Sequence, residues 1–280
     1  MSEIFVIAEA GINHNGELDL AKKLIEMAHR SRCNAVKFQK RNPDICVPVS
    51  MKSKLRETPW GVMTYLDYKK KIEFGEHEYD QIDNFCKELG ILWSASAWDL
   101  DSLNFLNKYD LPFNKIASAM STNLDFVSAV ANQGKLTYAS VGMCNWKEID
   151  QLVEVFRKSN SELILMHTVS NYPAENQDLN LRMIETLSKR YGYPVGYSGH
   201  EASISPSIVA AALGAVAIER HITISRSMWG TDHSASLEYA GISQLVGAVR
   251  KVPIVLGDGV KRVIPGEAEI AEKMRYWVGQ

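Results

Sequence analysis

At 280 residues, 46% hydrophobic and 23% charged, the chain has the size and balance of a soluble globular protein with one large domain or two small ones. A formal net charge of −2, from 31 basic and 33 acidic side chains, gives no basic face for nucleic acid. The apolar runs are too short to cross a bilayer and Met1–Ala8 lacks the basic start of a signal peptide, so membrane, secreted and disordered classes are not expected.

Strand-like and helix-like stretches alternate from end to end. The first candidate strand is Ile4–Ala8, followed by a helical stripe of Leu20, Leu24, Ile25, Met27 and Ala28. A second strand, Ala35–Phe38, leads into Lys40–Gly75, which holds Pro43, Pro48, Pro59, Trp60, Tyr65 and Tyr68 without a long period. A connection of that length is either a lid over a functional face or a packed decoration or oligomer contact. Then come helix Tyr79–Leu89 with Gly90 as its stop, strand Leu92–Ala95, helix Leu100–Lys108 and strand Lys115–Ala117. Helix Leu124–Ala131, strand Leu136–Ser140, helix Ile149–Lys158, strand Leu163–Met166 and helix Leu181–Arg190 follow. Strand Val195–Tyr197 precedes helix Ile204–Leu213, which opens on the capping signal Ser203-Ile-Ser-Pro206 and stops at Gly214. The last unit pairs strand Val216–Glu219 with helix Ile242–Lys251, and residues 258–280 form a C-terminal extension with a short helix, Glu267–Tyr276.

Eight β-then-α units of about 35 residues each predict a single (β/α)8 TIM barrel over residues 1–280. An open doubly wound sheet would carry G-x-G-x-x-G after its first strand, and none is there. The four cysteines, Cys33, Cys46, Cys86 and Cys144, form no C-x-x-C pair and read as free thiols, with the cytoplasm as the expected address.

Catalytic residues of a barrel cluster at the C-terminal ends of its strands. Here the first strand ends in Glu9, followed by Asn13, His14 and Asn15, the second in Lys37 and Gln39, and the third in Ser94 and Ser96. The fourth runs from Lys115 to Ser118, the fifth ends in Ser140, and the sixth in His167, followed by Ser170, Asn171 and Tyr172. The seventh ends in Ser198 and His200, the eighth in Glu219, Arg220 and His221. Polar residues at all eight ends, over apolar strand bodies, mark an active face.

Lys37 and Lys115 lie in apolar β surroundings, where an ammonium is costly unless an anion meets it. With hydroxyls from Ser96, Ser118, Ser140 and Ser198 and no carboxylate between the lysines, a phosphate or carboxylate pocket is expected. A Schiff-base lysine is the competing reading. His200 and His221 end adjacent strands and, with Glu219 or Asp232 nearby, suit a divalent metal with open positions, or else a hydrogen-bonding or general-base pair. His233 is expected behind them, and His29 and His77 on solvated helix faces. Trp60, Trp98 and Trp146 line a sugar site or pack in the core.

The segments Ile7-Ala-Glu-Ala-Gly-Ile-Asn-His-Asn-Gly16, Ala35-Val-Lys-Phe-Gln39, Asn114-Lys-Ile-Ala-Ser118 and Gly196-Tyr-Ser-Gly-His200 resemble the sialic acid synthase (N-acetylneuraminate synthase) family. So do Ile218-Glu-Arg-His221 and Gly230-Thr-Asp-His-Ser-Ala-Ser-Leu-Glu238, and the likeness runs in order from about residue 4 to residue 270. The resemblance implies an enzyme that condenses phosphoenolpyruvate with an aldose, such as N-acetylmannosamine or its 6-phosphate, to a 3-deoxy-2-ulosonic acid plus phosphate. Matched residue by residue, it implies that Lys115, Ser118, Ser96, Ser140, Ser170, Ser198 and Gln39, with Lys37 beside them, bind phosphoenolpyruvate. It implies that His200 and His221 ligate Mn²⁺ or Mg²⁺, which polarises the aldehyde, and that they and the carboxylates Glu9 and Glu219 are catalytic. The sugar-binding positions fall on Glu9, Tyr172 and Asp232, with Glu219 close by. A homodimer is also implied.

Family members carry an antifreeze-like domain after the barrel that reaches the acceptor of a partner subunit. This sequence ends at Gln280, where the linker to that domain would begin; either it is a piece of a longer chain or the enzyme has no such cap, in which case a different aldose is an option and Lys40–Gly75 is expected to take more of the sugar recognition. The rival readings are a Schiff-base pyruvate aldolase using Lys115 or Lys37, a synthase for a non-N-acetylated ulosonic acid, and a noncatalytic carbohydrate-binding barrel. The 3-deoxy-octulosonate and 3-deoxy-heptulosonate phosphate synthases share the chemistry but fit these motifs less well.

Overall fold

The computed structural model describes residues 3–278. In chain order its strands are β1 (Phe5–Gly11), β2 (Ala35–Lys40), β3 (Leu55–Thr58), β4 (Gly61–Thr64), β5 (Leu92–Ala97), β6 (Asn114–Ile116), β7 (Thr137–Ser140), β8 (Leu163–Thr168), β9 (Val195–Gly199) and β10 (Ala217–His221). β3 and β4 form a separate antiparallel hairpin; the other eight are parallel and close in the order β1-β10-β9-β8-β7-β6-β5-β2. With helices on the outside, this is the (β/α)8 TIM barrel expected from the unit count.

Local chemistry explains the elements. Helix Leu18–Arg30 buries Leu20, Ala21, Leu24, Ile25, Met27 and Ala28, a stripe recurring every three to four residues. Helix Glu76–Leu89 ends on Gly90 in the left-handed conformation at φ 70°, which costs glycine nothing. The capping signal at Ser203 is not used as expected. Helix Ser205–Ala212 takes Pro206 in its first turn, but no side chain caps it, and the Ser203 carbonyl instead accepts a bond from Arg220.

Several strands run past their expected ends, β1 to Gly11, β2 to Lys40, β5 to Ala97, β8 to Thr168 and β10 to His221. The added residues are largely polar and read as loop, yet they line the top of a barrel that satisfies their backbone.

Two cores position the site. The larger lies between the strands and the helix ring. The smaller plugs the barrel from below: Ile7, Ala35, Phe113, Tyr138, Met166 and Ala217 fill its N-terminal half, with Phe113 edge-on to Tyr138 at 5.0 Å between ring centres. The interior therefore opens only at the C-terminal end of the strands.

The connection Lys40–Gly75 is more ordered than its sequence suggested. It holds helices Pro43–Cys46 and Val49–Lys52, the β3–β4 hairpin and helix Tyr65–Ile72. The last buries Tyr68 and Ile72 against Ile12 and Trp229, so it docks on the loops that follow β1 and β10. Its two ends are pinned together by Lys40 and Glu73, at 2.9 Å, and both side chains are largely buried. The segment is a packed unit docked on the loops beside the barrel mouth.

The expected C-terminal helix forms at Pro265–Met274, with none of its residues buried. No helix among the described residues is long and apolar enough to cross a membrane.

Candidate active site

Alternation along parallel strands decides which strand-end residues face inward. From β1 and β2 these are Glu9, Lys37 and Gln39; from β5, β6 and β7 they are Ser96, Lys115 and Ser140. Thr168, Ser198, His200, Glu219 and His221 complete the ring, and Ser118, Ser170, Tyr172, Trp98 and Met143 line the mouth. The cavity so formed has a volume of about 280 Å³, at the small end for a ligand pocket.

The same alternation removes residues that the sequence had placed at strand ends. His167 points outward and is held by the Leu179 carbonyl at 2.7 Å, while Thr168, one residue on, takes the inward position. Thr168 was missed; counting by twos from buried Met166 finds it. Arg220 also points outward. His14 stacks on Phe74 with ring centres 3.9 Å apart, and burial pushes its imidazole down to about 3. Ser94 lies below the cavity and donates to the Phe113 carbonyl. His29 and His77 are exposed, as expected.

The expectation that no carboxylate lies between the lysines is overturned. Lys37 forms a close ion pair with Glu9, and its Nζ is 3.8 Å from Glu219 Oε1, which is itself 3.5 Å from Lys115 Nζ. β1 is paired with both β2 and β10, so the carboxylates from the two ends of the chain, on adjacent strands, both come within reach of Lys37. Lys37 also donates to Ser96 Oγ at 3.1 Å, Lys115 to Ser140 Oγ at 2.7 Å and Gln39 to Glu9 Oε1 at 3.0 Å. All four charged residues are at most 5% exposed.

Their environments drive the two acids apart. Burial, with the neighbouring charge of Glu219, pushes the Glu9 carboxyl up to about 7 against the pull of Lys37. Burial opposes ionisation of Glu219 too, but Lys115 and Lys37 overcome it and hold that carboxyl at about 2. Despite burial, Glu219 and Glu9 keep the Lys37 ammonium above its usual range, whereas burial draws Lys115 below. Burial thus favours the protonated form of Glu9, while the two lysines keep Glu219 ionised.

Opposite them, Ser118 and Ser170 converge across Gly142. A Cβ on this glycine would lie 2.6 Å from Ser170 Oγ and 2.9 Å from Ser118 Oγ, so only a residue without a side chain leaves the two hydroxyls facing the cavity.

At the rim the His200 and His221 rings stand 5.5 Å apart, and Tyr172 covers His200 at 4.1 Å. His200 Nδ1 donates to the Val169 carbonyl at 2.7 Å, which leaves Nε2 with the free lone pair. His221 Nδ1 is buried without a hydrogen-bond partner, 3.9 Å from Asp232 Oδ2. Burial lowers both imidazoles, His200 to about 4, so both are neutral donors near neutral pH. His233 stands behind them, bonded to Thr223 at 2.7 Å. Among the described residues no three His, Cys, Asp or Glu side chains are grouped to hold a metal by themselves.

This arrangement has known relatives. The chain is 35% identical over 277 residues to the human N-acetylneuraminate-9-phosphate synthase, covering 96% of this chain and 76% of that one. It is 34% identical to the N,N'-diacetyllegionaminic acid synthase of Campylobacter jejuni, over 95% of this chain and 81% of the other. The crystal structure of the sialic acid synthetase of Leptospira borgpetersenii, in complex with citrate, superposes with a TM-score of 0.87 at 32% identity, covering all of this chain and 94% of that one. The NeuB family model matches residues 24–261, most of the barrel, and the chain is an enzyme of the NeuB family.

Proposed function

We propose that the cavity condenses phosphoenolpyruvate with an aldose of the N-acetylmannosamine type to give a sialic-acid-like 3-deoxy-2-ulosonic acid and inorganic phosphate. One observation carries the reading: Lys37 and Lys115 converge with the hydroxyls of Ser96, Ser140 and Ser198 in a barrel whose mouth adds Ser118 and Ser170 and whose rim holds two neutral histidines.

In this reading the lysines and the hydroxyls of Ser96, Ser118, Ser140, Ser170 and Ser198, with Gln39, hold the phosphate and carboxylate of phosphoenolpyruvate. Its C3 is thereby presented upward, to an aldehyde lying under Tyr172 and beside Asp232. C3 bonds to the aldehyde carbon as the aldehyde C=O π bond breaks and its oxygen becomes an alkoxide, leaving positive charge at C2, opposite the Glu219 carboxylate. Water adds at C2 and gives its proton to Glu9, whose raised pKa suits a base working near neutrality and which hands a proton on to the sugar alkoxide. The adduct then loses phosphate to the waiting lysines.

A divalent metal fits the rim. His200 Nε2 and His221 Nδ1 are unpartnered donors, and water and substrate oxygens would complete the shell that two imidazoles leave open. Mn²⁺ or Mg²⁺ held there would supply Lewis-acid polarisation of the aldehyde oxygen.

Phosphate release from phosphoenolpyruvate is the test. It is expected to require both an aldose and Mn²⁺ or Mg²⁺, to cease with EDTA, and to return when metal is restored. Release indifferent to chelator, together with borohydride trapping of pyruvate on Lys115 or Lys37, would establish the Schiff-base aldolase instead.

The pH dependence has a definite sign. Glu9 holds its proton below about 7 and loses it above, so kcat/KM is expected to rise through pH 7. In Glu9→Gln that limb should vanish along with most of the rate. A limb retained in the variant belongs to another group.

A further inference from the structure

Three cations in the connection between β2 and helix Glu76–Leu89 gather in one place although they come from different parts of it. Arg41 follows β2, Arg56 lies on β3 and Lys69 in helix Tyr65–Ile72. The Arg56 guanidinium stands 4.5 Å from the centre of the Tyr68 ring and 4.9 Å from that of Trp229. Lys69 Nζ is 5.1 Å from Tyr68 and 5.4 Å from Tyr65. Arg41 lies 4.0 Å over Trp98, a residue of the cavity wall, and donates to Gln39, leaving its Nε buried without a partner.

Among the described residues no carboxylate comes within 4 Å of any of these three cationic heads, whereas the adjacent Lys40 is paired with Glu73. Burial and the charges of Arg41 and Arg56 push the Lys69 ammonium down to about 8, with Asp232 and Glu73 offsetting this only in part. Asp232 is itself engaged by Thr231 at 2.6 Å and faces His221. Among the described residues aromatic faces thus hold three half-buried cations with no carboxylate in direct contact, an arrangement that favours a bound anion. The phosphoenolpyruvate anions are met deeper, by Lys37 and Lys115, so this charge is surplus to them.

We propose that Arg41, Arg56 and Lys69 form an anion subsite that takes a phosphate or carboxylate carried by the acceptor sugar at the end remote from its aldehyde. The inference rests on the condensation reading above and names the class of acceptor: an anionic aldose. Asp232 joins the two regions, being 3.9 Å from His221 on one side and felt by Lys69 and Arg41 on the other.

Calorimetric titration reads the subsite without turnover. The ligands are N-acetylmannosamine, its 6-phosphate and N-acetylmannosaminuronate; the proteins are wild type, Arg56→Gln, Lys69→Glu and the conservative Arg56→Lys. At least one anionic sugar is expected to bind about 10- to 100-fold more tightly than the neutral one, and which one does so identifies the group as phosphate or carboxylate. Arg56→Gln and Lys69→Glu should erase that preference and Arg56→Lys should keep most of it. Equal affinities in wild type, no binding of either anionic sugar, or a preference untouched in both variants would overturn the subsite. Phosphate release with the same sugars separates the two ideas. No release with any sugar, while the binding preference stands, sinks the condensation reading alone; release with no preference in binding or KM sinks the subsite alone.

Discussion

Replacing Lys115 by methionine is expected to lower kcat/KM for phosphoenolpyruvate by about 10²–10³-fold, the range seen when one preorganised charge-stabilising donor is removed. Lys115 donates to Ser140 Oγ at 2.7 Å, stands 3.5 Å from Glu219 and is 5% exposed, so little water is at hand to replace it. Methionine keeps the volume of the stem, and the barrel packing below, where Tyr138 meets Phe113, is left intact. Arginine is not expected to rescue, because the flat guanidinium is wider than the ammonium it replaces. Steady-state phosphate release, with a melting curve to show that the variant is folded, checks both. A folded Lys115→Met variant with near-normal kcat/KM would remove Lys115 from the anion pocket.

Arg220→Met is expected to destabilise the fold by about 3–5 kcal/mol, the cost of breaking a buried ion pair from one side. On the outer wall of the barrel the Arg220 guanidinium, fully buried, donates to Glu201 and Ser207 Oγ at 3.0 Å and to the Ser203 carbonyl at 2.8 Å. Tyr197 donates to the other Glu201 oxygen at 2.8 Å. Removing the cation leaves a carboxylate, 1% exposed, with two hydroxyl donors and no counter-charge. The melting temperature should fall by on the order of 10 °C. The double variant Arg220→Met with Glu201→Gln should recover much of that loss, since no buried charge then lacks a partner. An unchanged melting temperature in the single variant would show that the pair adds nothing. Because Glu201 follows His200 and Arg220 precedes His221, this network also fixes the strand ends that present the two rim histidines.

The site was legible to the degree that its residues stood at strand ends with recognisable neighbours. Lys37, Gln39, Ser96, Lys115, Ser140, Ser198, His200, Glu219 and His221 do line one cavity, and Glu9 with them. His167 and Arg220 were grouped with them because a polar residue at a strand end reads the same whichever way it points. Alternation sends these two to the helix side, one to a backbone carbonyl and one to a carboxylate. The connection Lys40–Gly75 was legible only as an irregular stretch, since its elements are four to eight residues long, too short for a helical period to show.

The sequence by itself determined the eightfold alternation of strand and helix, the polar crown and the family motifs, because each depends on spacing within about 15 residues or on local residue type. Tertiary structure alone decided that Glu9 and Glu219 sit among the lysines, that the two acids have opposite protonation preferences, and that Lys69 comes within the electrostatic reach of Arg41 and Arg56. Those outcomes depend on how the closed barrel brings β1 beside β10 and on what each buried charge finds as its neighbour. Desolvation and Coulomb attraction act through space between groups far apart in the chain, so no local pattern encodes them.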